Sequence, residues 1–257
     1  MLISIIIITL NEIENLEKTI TAVRLAAQYN LDHPIPIELI VSDGGSKDGT
    51  IEVAQKLADK VVIGQPNRSN QLNKGAEIAQ GDVLLFLHAD TLLPENAFIW
   101  IMQNLKDPAK IGGGFKKNWN WNPNLKRSSF LKFINYFWEG MGNWLVRLLK
   151  SFPGDNAIFV RKQIFEDLNG FKSLWICEDF DFSHRLKKFG KRKIVYIPSA
   201  VLTSTRRFEK YGFTRIIMIW FFIYWLWRFG MTQDRLRVRF NKYSIIPEKG
   251  NITHMRF

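Results

Sequence analysis

Asp82-Val-Leu-Leu-Phe-Leu-His-Ala-Asp-Thr-Leu-Leu-Pro-Glu95 decides how this chain folds. Residues 83–87 are a continuous apolar run of strand length, which suits a strand buried on both faces of a parallel sheet. The run stops at His88-Ala89-Asp90. Pro94 and Glu95 then read as the first turn of a helix, where a missing N–H costs nothing and a carboxylate meets the positive end of the dipole. His88 and Asp90 are therefore expected at the carboxyl end of a central strand, the place where open α/β sheets bind ligands. Two residues apart in extended backbone, they point the same way. An imidazole beside a carboxylate suits a divalent metal and the phosphates it carries. The plainer alternative is a strand end with a solvated acid and a packed histidine.

Outward from this stretch the pattern alternates. Residues 2–10 are β-branched and apolar, a buried first strand rather than a signal peptide, because no basic segment or cleavage site accompanies them. Leu16, Ile20, Val23 and Ala27 recur at helical spacing. Residues 37–41 read as a second strand, followed by a helix to residue 57. Residues 61–63 are a short third strand, and a helix from Asn67 to about residue 79 leads back to the central strand. Strands alternating with helices predict a parallel sheet with right-handed crossovers. Beyond residue 105 the pattern changes. Gly112-Gly113-Gly114 reads as a permissive turn where backbone could approach a ligand, residues 119–127 as a loop and 130–149 as a long helix. Residues 153–156 form a turn, 157–161 a strand, and 164–168 a short helix closed by Asn169-Gly170. A helix from Glu178 and a late strand over 193–197 follow.

The chain has 257 residues, 46% hydrophobic and 23% charged, with a net charge of +12. That suits one α/β domain with a C-terminal appendage, divided here as residues 1–205 and 206–257. The appendage carries 11 Lys/Arg against 3 Asp/Glu, so +8 of the net charge lies in the last fifth. Such asymmetry calls for an anionic partner or a solvated basic surface. The single cysteine, Cys177, excludes an internal disulfide framework and a cysteine-based zinc site.

Candidate chemistry collects at strand ends. Asp43 follows the second strand as Asp90 follows the fourth, and a nucleotide laid across the sheet would meet both. Gly44 and Gly45 would let backbone come close, although Asp-Gly turns are common for structural reasons alone. Arg68, at a helix opening, can reach a phosphate or sit on the surface. Glu178 and Asp179 either favour the helix dipole or supply a general base worth ~10²–10⁴ in rate. Asp181 reads as supporting or solvated, Arg185 as a possible phosphate contact and His184 as a packed histidine.

Together, Thr9-Leu10-Asn11-Glu12, Asp43-Gly44-Gly45-Ser46-x-Asp48-Gly49-Thr50, Asn73-Lys74-Gly75, Gly81-Asp82, Leu87-His88-Ala89-Asp90 and Glu178-Asp179-x-Asp181 resemble a family 2 glycosyltransferase of the GT-A fold. The resemblance covers residues 2–200. It implies a Rossmann-like, mostly parallel central sheet flanked by helices, and inverting hexosyl transfer from a nucleotide-diphospho-sugar with Mg²⁺ or Mn²⁺. It implies that Thr9, Asn11, Glu12, Asp43, Gly44, Arg68, Lys74, His88 and Ala89 line the donor site, with Asp43 on the base. Asp90, with His88, would hold the metal; Asp179, beside Glu178, would be the base. Gly113, Gly114 and Asp155 fall in the expected acceptor region. Gly154-Asp155-Asn156-Ala157-Ile158-Phe159 and His-Ala-Asp also resemble a bacterial subgroup of the family. Two departures stand out. Most of the family has Asp where this chain has His88, and the Gln-x-x-Arg-Trp segment of processive relatives is absent, which implies single-sugar transfer.

Residues 216–227 carry no charge. As a helix they would span about 18 Å, short of the roughly 30 Å of a bilayer core. With Trp220, Trp225, Trp227 and flanking arginines, the segment is expected either to lie at a membrane surface, near a lipid-linked acceptor on the cytoplasmic side, or to pack on the domain or a second copy. Nucleic acid is not expected. A sugar nucleotidyltransferase would need a glycine-rich loop after the first strand, and residues 9–15 contain no glycine. A non-catalytic nucleotide-sugar binder would leave Asp90 and Asp179 without a reason.

Overall fold

The computed structural model describes residues 1–29, 34–121 and 128–241. Strand β1 (Ile3–Thr9) is buried along its whole length. It lies between β2 (Ile37–Asp43) and β4 (Val83–His88), parallel to both, and β3 (Lys60–Ile63) extends the sheet beyond β2. Helices α1 (Ile13–Gln28), α2 (Thr50–Leu57) and α3 (Arg68–Glu77) make the crossovers. Side chains alternate along a strand, so the isoleucines of β1 sort to opposite faces. Ile3, Ile5 and Ile7 pack with Leu16, Ile20 and Val23 of α1, whereas Ile6 and Ile8 meet Leu72 and Ala76 of α3.

Past β4 the sheet becomes mixed. A two-residue strand, β5 (Thr91–Leu92), precedes α4 (Ala97–Leu105). Pro94 lies outside this helix and its carbonyl accepts from the Ala97 amide; α4 starts at Ala97, with Asn96 in the cap position. Then come β6 (Gly112–Asn120), α5 (Ser129–Leu149), β7 (Phe159–Arg161), α6 (Lys162–Asp167), α7 (Glu178–Leu186) and β8 (Ile194–Ser204). The order across the eight strands is β3-β2-β1-β4-β7-β6-β8-β5. Antiparallel β7 joins the parallel half to the rest. Phe165, Phe171 and Phe182 cluster over this junction, with Phe171 and Phe182 ring centroids 4.5 Å apart. The chain ends its described part with α8 (Arg206–Tyr211), α9 (Phe213–Arg228) and α10 (Gln233–Asn241). No helix among the described residues is long and apolar enough to cross a membrane.

Three expectations fail here. Gly112-Gly113-Gly114 is not a turn but the start of β6, paired with both β7 and β8. A Cβ on Gly113 would stand 2.1 Å from the Val195 carbonyl oxygen, and one on Gly114 2.5 Å from the Phe152 ring. These glycines allow close approach of protein to protein. Gly113 and Gly114 are buried in the sheet and offer no acceptor surface. Trp119 and Asn120 likewise belong to β6 rather than to a loop; residues 122–127 of that expected loop lie outside the described residues. The late strand continues to Ser204 because the register with β6 shifts between Phe115/Lys116, across from Pro198 and Ser199. A bulge accommodates the residue that cannot donate to a ladder.

Gly113→Ala is expected to cost about 2–3 kcal/mol by overpacking, lowering Tm by roughly 5–10 °C. Thermal denaturation checks it; an unchanged Tm would mean that the β6–β8 spacing yields without cost.

Candidate functional site: a charged cleft at the strand ends

The parallel register sets the cleft floor. Thr9 is level with Asp43, and Ile8 is level with His88, so β1 carries one acidic strand end on one side and the imidazole on the other. Gln71 of α3 ties the floor together, its Nε2 donating to the carbonyls of Thr9 (2.8 Å) and Ser42 (2.9 Å).

On the β2 side, Asp43 is fully buried. Its carboxylate accepts from the Thr9 hydroxyl at 2.7 Å, from the Gly45 and Ser46 amides, and from the Ser46 hydroxyl. Asn11, at φ 54, completes the loop by donating its amide to Ser46 Oγ and accepting from the Lys47 amide. Asp43 is thus the frame of this loop. A Cβ on Gly44 would stand 3.2 Å from Pro66 Cα and 3.3 Å from the Gln71 amide, a tight fit against the approach to α3. Lys74 is exposed and lies over Gly64, on this side of the cleft and away from His88.

On the β4 side the strand ends at His88, and Ala89 and Asp90 form a turn. Ala89 does not line the cleft. Its side chain is in the core and its carbonyl accepts from Thr19 Oγ1 at 2.6 Å. Asp90 Oδ2 accepts from Arg206 Nη2 at 3.0 Å, and the same nitrogen donates to both Glu12 carboxylate oxygens at 2.9 Å. Arg207 and Arg68 lie close enough to push on each other's charge. Burial and Arg68 bring Arg207 down to about 10, against the pull of Asp90. His88 is lowered to about 4 by burial and then by Arg68, despite Asp90 and Asp155, so its imidazole is neutral at physiological pH.

The third wall is the N-terminus of α7. Glu178 is buried, 4.0 Å from Arg68; burial and then Asp179 raise its pKa to about 7, which Arg68 opposes. Asp179 is also raised, by burial first and by Asp155, although its carboxylate accepts from the Gly154 and Phe180 amides. Gly154 lies between the two walls: a Cβ there would stand 2.8 Å from His88 Nε2 and 3.5 Å from Asp179 Oδ2. Asp155 pairs with Lys117 at 2.8 Å. Burial raises its pKa, but Lys117 overrides that and holds it below the usual carboxylate range.

Two further expectations are corrected. Arg185 faces no phosphate: it is spent on Asp181 and on the carbonyls of Leu168 and Gly170. His184 is exposed rather than packed.

Residues 4–169 match the family model for glycosyl transferase family 2. The chain belongs to that family. Its relatives include a probable glycosyltransferase of Bacillus subtilis, YdaM, 26% identical over 72% of this chain and 47% of that one. A poly-β-1,6-N-acetyl-D-glucosamine synthase of Staphylococcus aureus is 33% identical over 40% of this chain and 25% of its own length. This family 2 chain thus spans half or less of the length of these curated relatives. The S. aureus TarS fragment solved with UDP-GlcNAc superposes with a TM-score of 0.60 at 15% identity, over 80% of this chain and 59% of that one. A Pyrobaculum calidifontis mannosyltransferase with GDP-Man and Mn²⁺ gives 0.54 at 21% identity, over 78% and 56%. These likenesses establish the GT-A fold.

In this family 2 chain the residues missed in the sequence are Arg206, Arg207 and Lys117. The two arginines stood out only as charge in the tail, and the boundary at residue 205 separated them from the site they enter. Among the described residues no three His, Cys, Asp or Glu side chains gather to hold a metal unaided. A neutral His88 and the carboxylate of Asp90 nevertheless fit a divalent ion that takes its other ligands from substrate phosphates.

The raised pKa of Glu178 has a thermodynamic signature. An acid whose folded pKa exceeds its unfolded one binds more protons when folded, so stability falls as pH rises from about 4.5 to about 7. Glu178→Gln removes that loss. The variant is expected to melt above the parent at pH 8, with the gap closing towards pH 4.5; a gap independent of pH would refute a raised Glu178.

Proposed function

We propose that this chain transfers one sugar from a nucleotide-diphospho-sugar to an acceptor hydroxyl, with inversion at the anomeric carbon. One observation carries the reading: a partly exposed carboxylate of raised pKa, Asp179, faces across Gly154 towards a neutral imidazole and three guanidinium groups. Arg68, Arg206 and Arg207 suit a diphosphate, which would offset their mutual repulsion. Nucleotide sugars bound to solved proteins of this fold support the donor class.

The nucleoside would lie on the loop after β2, against Thr9, Asn11 and Gly44, with Lys74 at its edge. A direct contact from Asp43 to the base requires one of its present donors to turn away. Asp90 and His88 would hold Mg²⁺ or Mn²⁺, which supplies neutralisation of the diphosphate when bound; Mn²⁺ in two solved proteins of this fold supports a divalent ion. Asp179 takes the proton of the acceptor hydroxyl. The oxygen attacks the anomeric carbon from the opposite side to the diphosphate, the C–O bond breaks, and the nucleoside diphosphate leaves with the electron pair. Asp155 is a poor base because Lys117 keeps it ionised and engaged; it is placed to orient the acceptor. Glu178 is too buried to meet a substrate and tunes Asp179.

We place the reaction at the cytoplasmic face of a membrane, with a lipid-linked acceptor. Helix α9 supports this in part. Trp225, Phe221 and Phe222 are exposed, but Trp220 and Trp227 are not: the helix lays its other face on Cys177 and Phe180. Arg206 and Arg207 turn into the cleft and leave the basic surface with less charge than the tail's composition implies.

Nucleoside diphosphate release from a panel of UDP- and GDP-sugars with Mn²⁺ tests the activity. Asp179→Asn is expected to keep donor affinity and lose roughly 10²-fold or more in turnover. Asp90→Ala should abolish metal-dependent donor binding. Full turnover in both Asp179→Asn and Glu178→Gln would put the base elsewhere; donor binding with no transfer to any acceptor favours a non-catalytic binder.

A further inference from the structure

Helix α5 has its polarity reversed. An ordinary surface helix turns its apolar stripe to the core and its polar side to water. Here only Asn135 and Asn143 are buried. Asn143 exchanges hydrogen bonds with the backbone of Lys117, accepting from its amide at 2.9 Å and donating to its carbonyl at 2.6 Å. Glu139 accepts from the Trp119 amide at 2.7 Å. Glu139 and Asn143, four positions apart, hold β6 from one polar stripe, and Asn135 is buried one turn before them. The opposite side is aromatic and aliphatic: Phe130 is 70% exposed, Phe133 66%, Phe137 57% and Trp144 59%, with Leu148 continuing the run. A contiguous run of exposed rings and aliphatic side chains is unusual on the surface of a monomer.

The charges around this face have one sign. The exposed charged residues of α5 are Lys132 and Arg147. Its one acid, Glu139, is turned to β6. At the C-terminal end Lys150 sits near Arg147, Lys110 and Lys191; burial first, and then these like charges, lower its pKa. We propose that the outer face of α5 docks on an anionic lipid surface, with the rings and leucines in the headgroup–acyl boundary and the basic cluster on the headgroups. Apolar burial and electrostatic attraction act together in such contacts. A second copy of this chain is the poorer occupant. A two-fold contact sets the patch against itself, and basic ends would then meet basic ends with no outward acid to receive them.

The helix is tied to the cleft. Lys117, which Asn143 grips through its backbone, holds Asp155 by its ammonium, and Gly154 beside it donates to Asp179. A membrane under α5 therefore bears on the wall where an acceptor would enter. The contact is distinct from that of α9, and its test requires neither donor nor transfer.

Co-sedimentation of the full chain with vesicles decides it. The parent should bind an equal mixture of phosphatidylcholine and phosphatidylglycerol, release with salt, and ignore phosphatidylcholine alone. Phe137→Ser with Trp144→Ser should reduce the bound fraction about tenfold at an unchanged melting temperature, since both side chains already face outward. Should that variant fail to fold, Arg147→Glu should lower binding to the mixed vesicles and leave the fold intact. Trp225→Ala with Arg228→Ala, on α9, should leave the α5-dependent part in place. Binding unaffected by the α5 substitutions overturns the proposal, as does a parent that stays in the supernatant. A parent that avoids vesicles but dimerises, with a monomeric α5 variant, also overturns it and assigns the face to a second copy.

Discussion

Strand β1 has no side chain in water, and the site depends on that constraint. A strand buried on both faces must pair its backbone on both edges, so β1 is held between β2 and β4 in register. Its isoleucines pack into two separate cores, one under α1 and α4 and one under α3, α6 and α7. Shifting the pairing by one residue would exchange those cores. The level ends of three strands then follow without further specification, and they bring Thr9, Asp43 and His88 to one rim. Gln71 reinforces the same alignment from α3.

The cleft built on that rim holds groups that the fold alone would not choose. Glu178 and Asp179 are carried into surroundings that oppose their charge, and Arg207 is crowded by Arg68 and Arg206. Each costs stability; together they form a site whose acids are poised to accept protons beside closely spaced cations. Such clustering of perturbed groups marks functional sites. Arg206 shows how a cation is held among these acids, because one nitrogen satisfies Glu12 and Asp90 together.

The second half of the chain supplies what the parallel half lacks. β7 lies antiparallel against β4, so the loop before it returns Gly154 and Asp155 to the end of the central strand. The same loop follows α5, whose polar side is spent on β6 and whose apolar side is left outward. Chemistry and the exposed apolar surface are thus connected through a few hydrogen bonds, with Lys117 touching both Asn143 and Asp155.

The parallel half was legible from residues alone. The apolar runs of β1 and β4 and the helical spacing of Leu16, Ile20 and Val23 are local patterns, and local patterns define elements. Asp90 and Asp179 could be singled out in the same way, because each follows or opens an element whose end is visible in the chain. Gly113, Pro198 and Arg206 could not be read so. A glycine run spells a turn unless a neighbouring strand lies within contact distance. A proline ends a strand unless a bulge absorbs it, and a basic pair in a tail is surface unless the tail folds back. Each of those conditions concerns atoms distant in sequence. By itself the sequence determined the strand–helix alternation and the acids at the strand ends. Only tertiary packing decided which cations reach those acids and which face of α5 is left to the outside, because the partners of a charge or an apolar face lie in other elements.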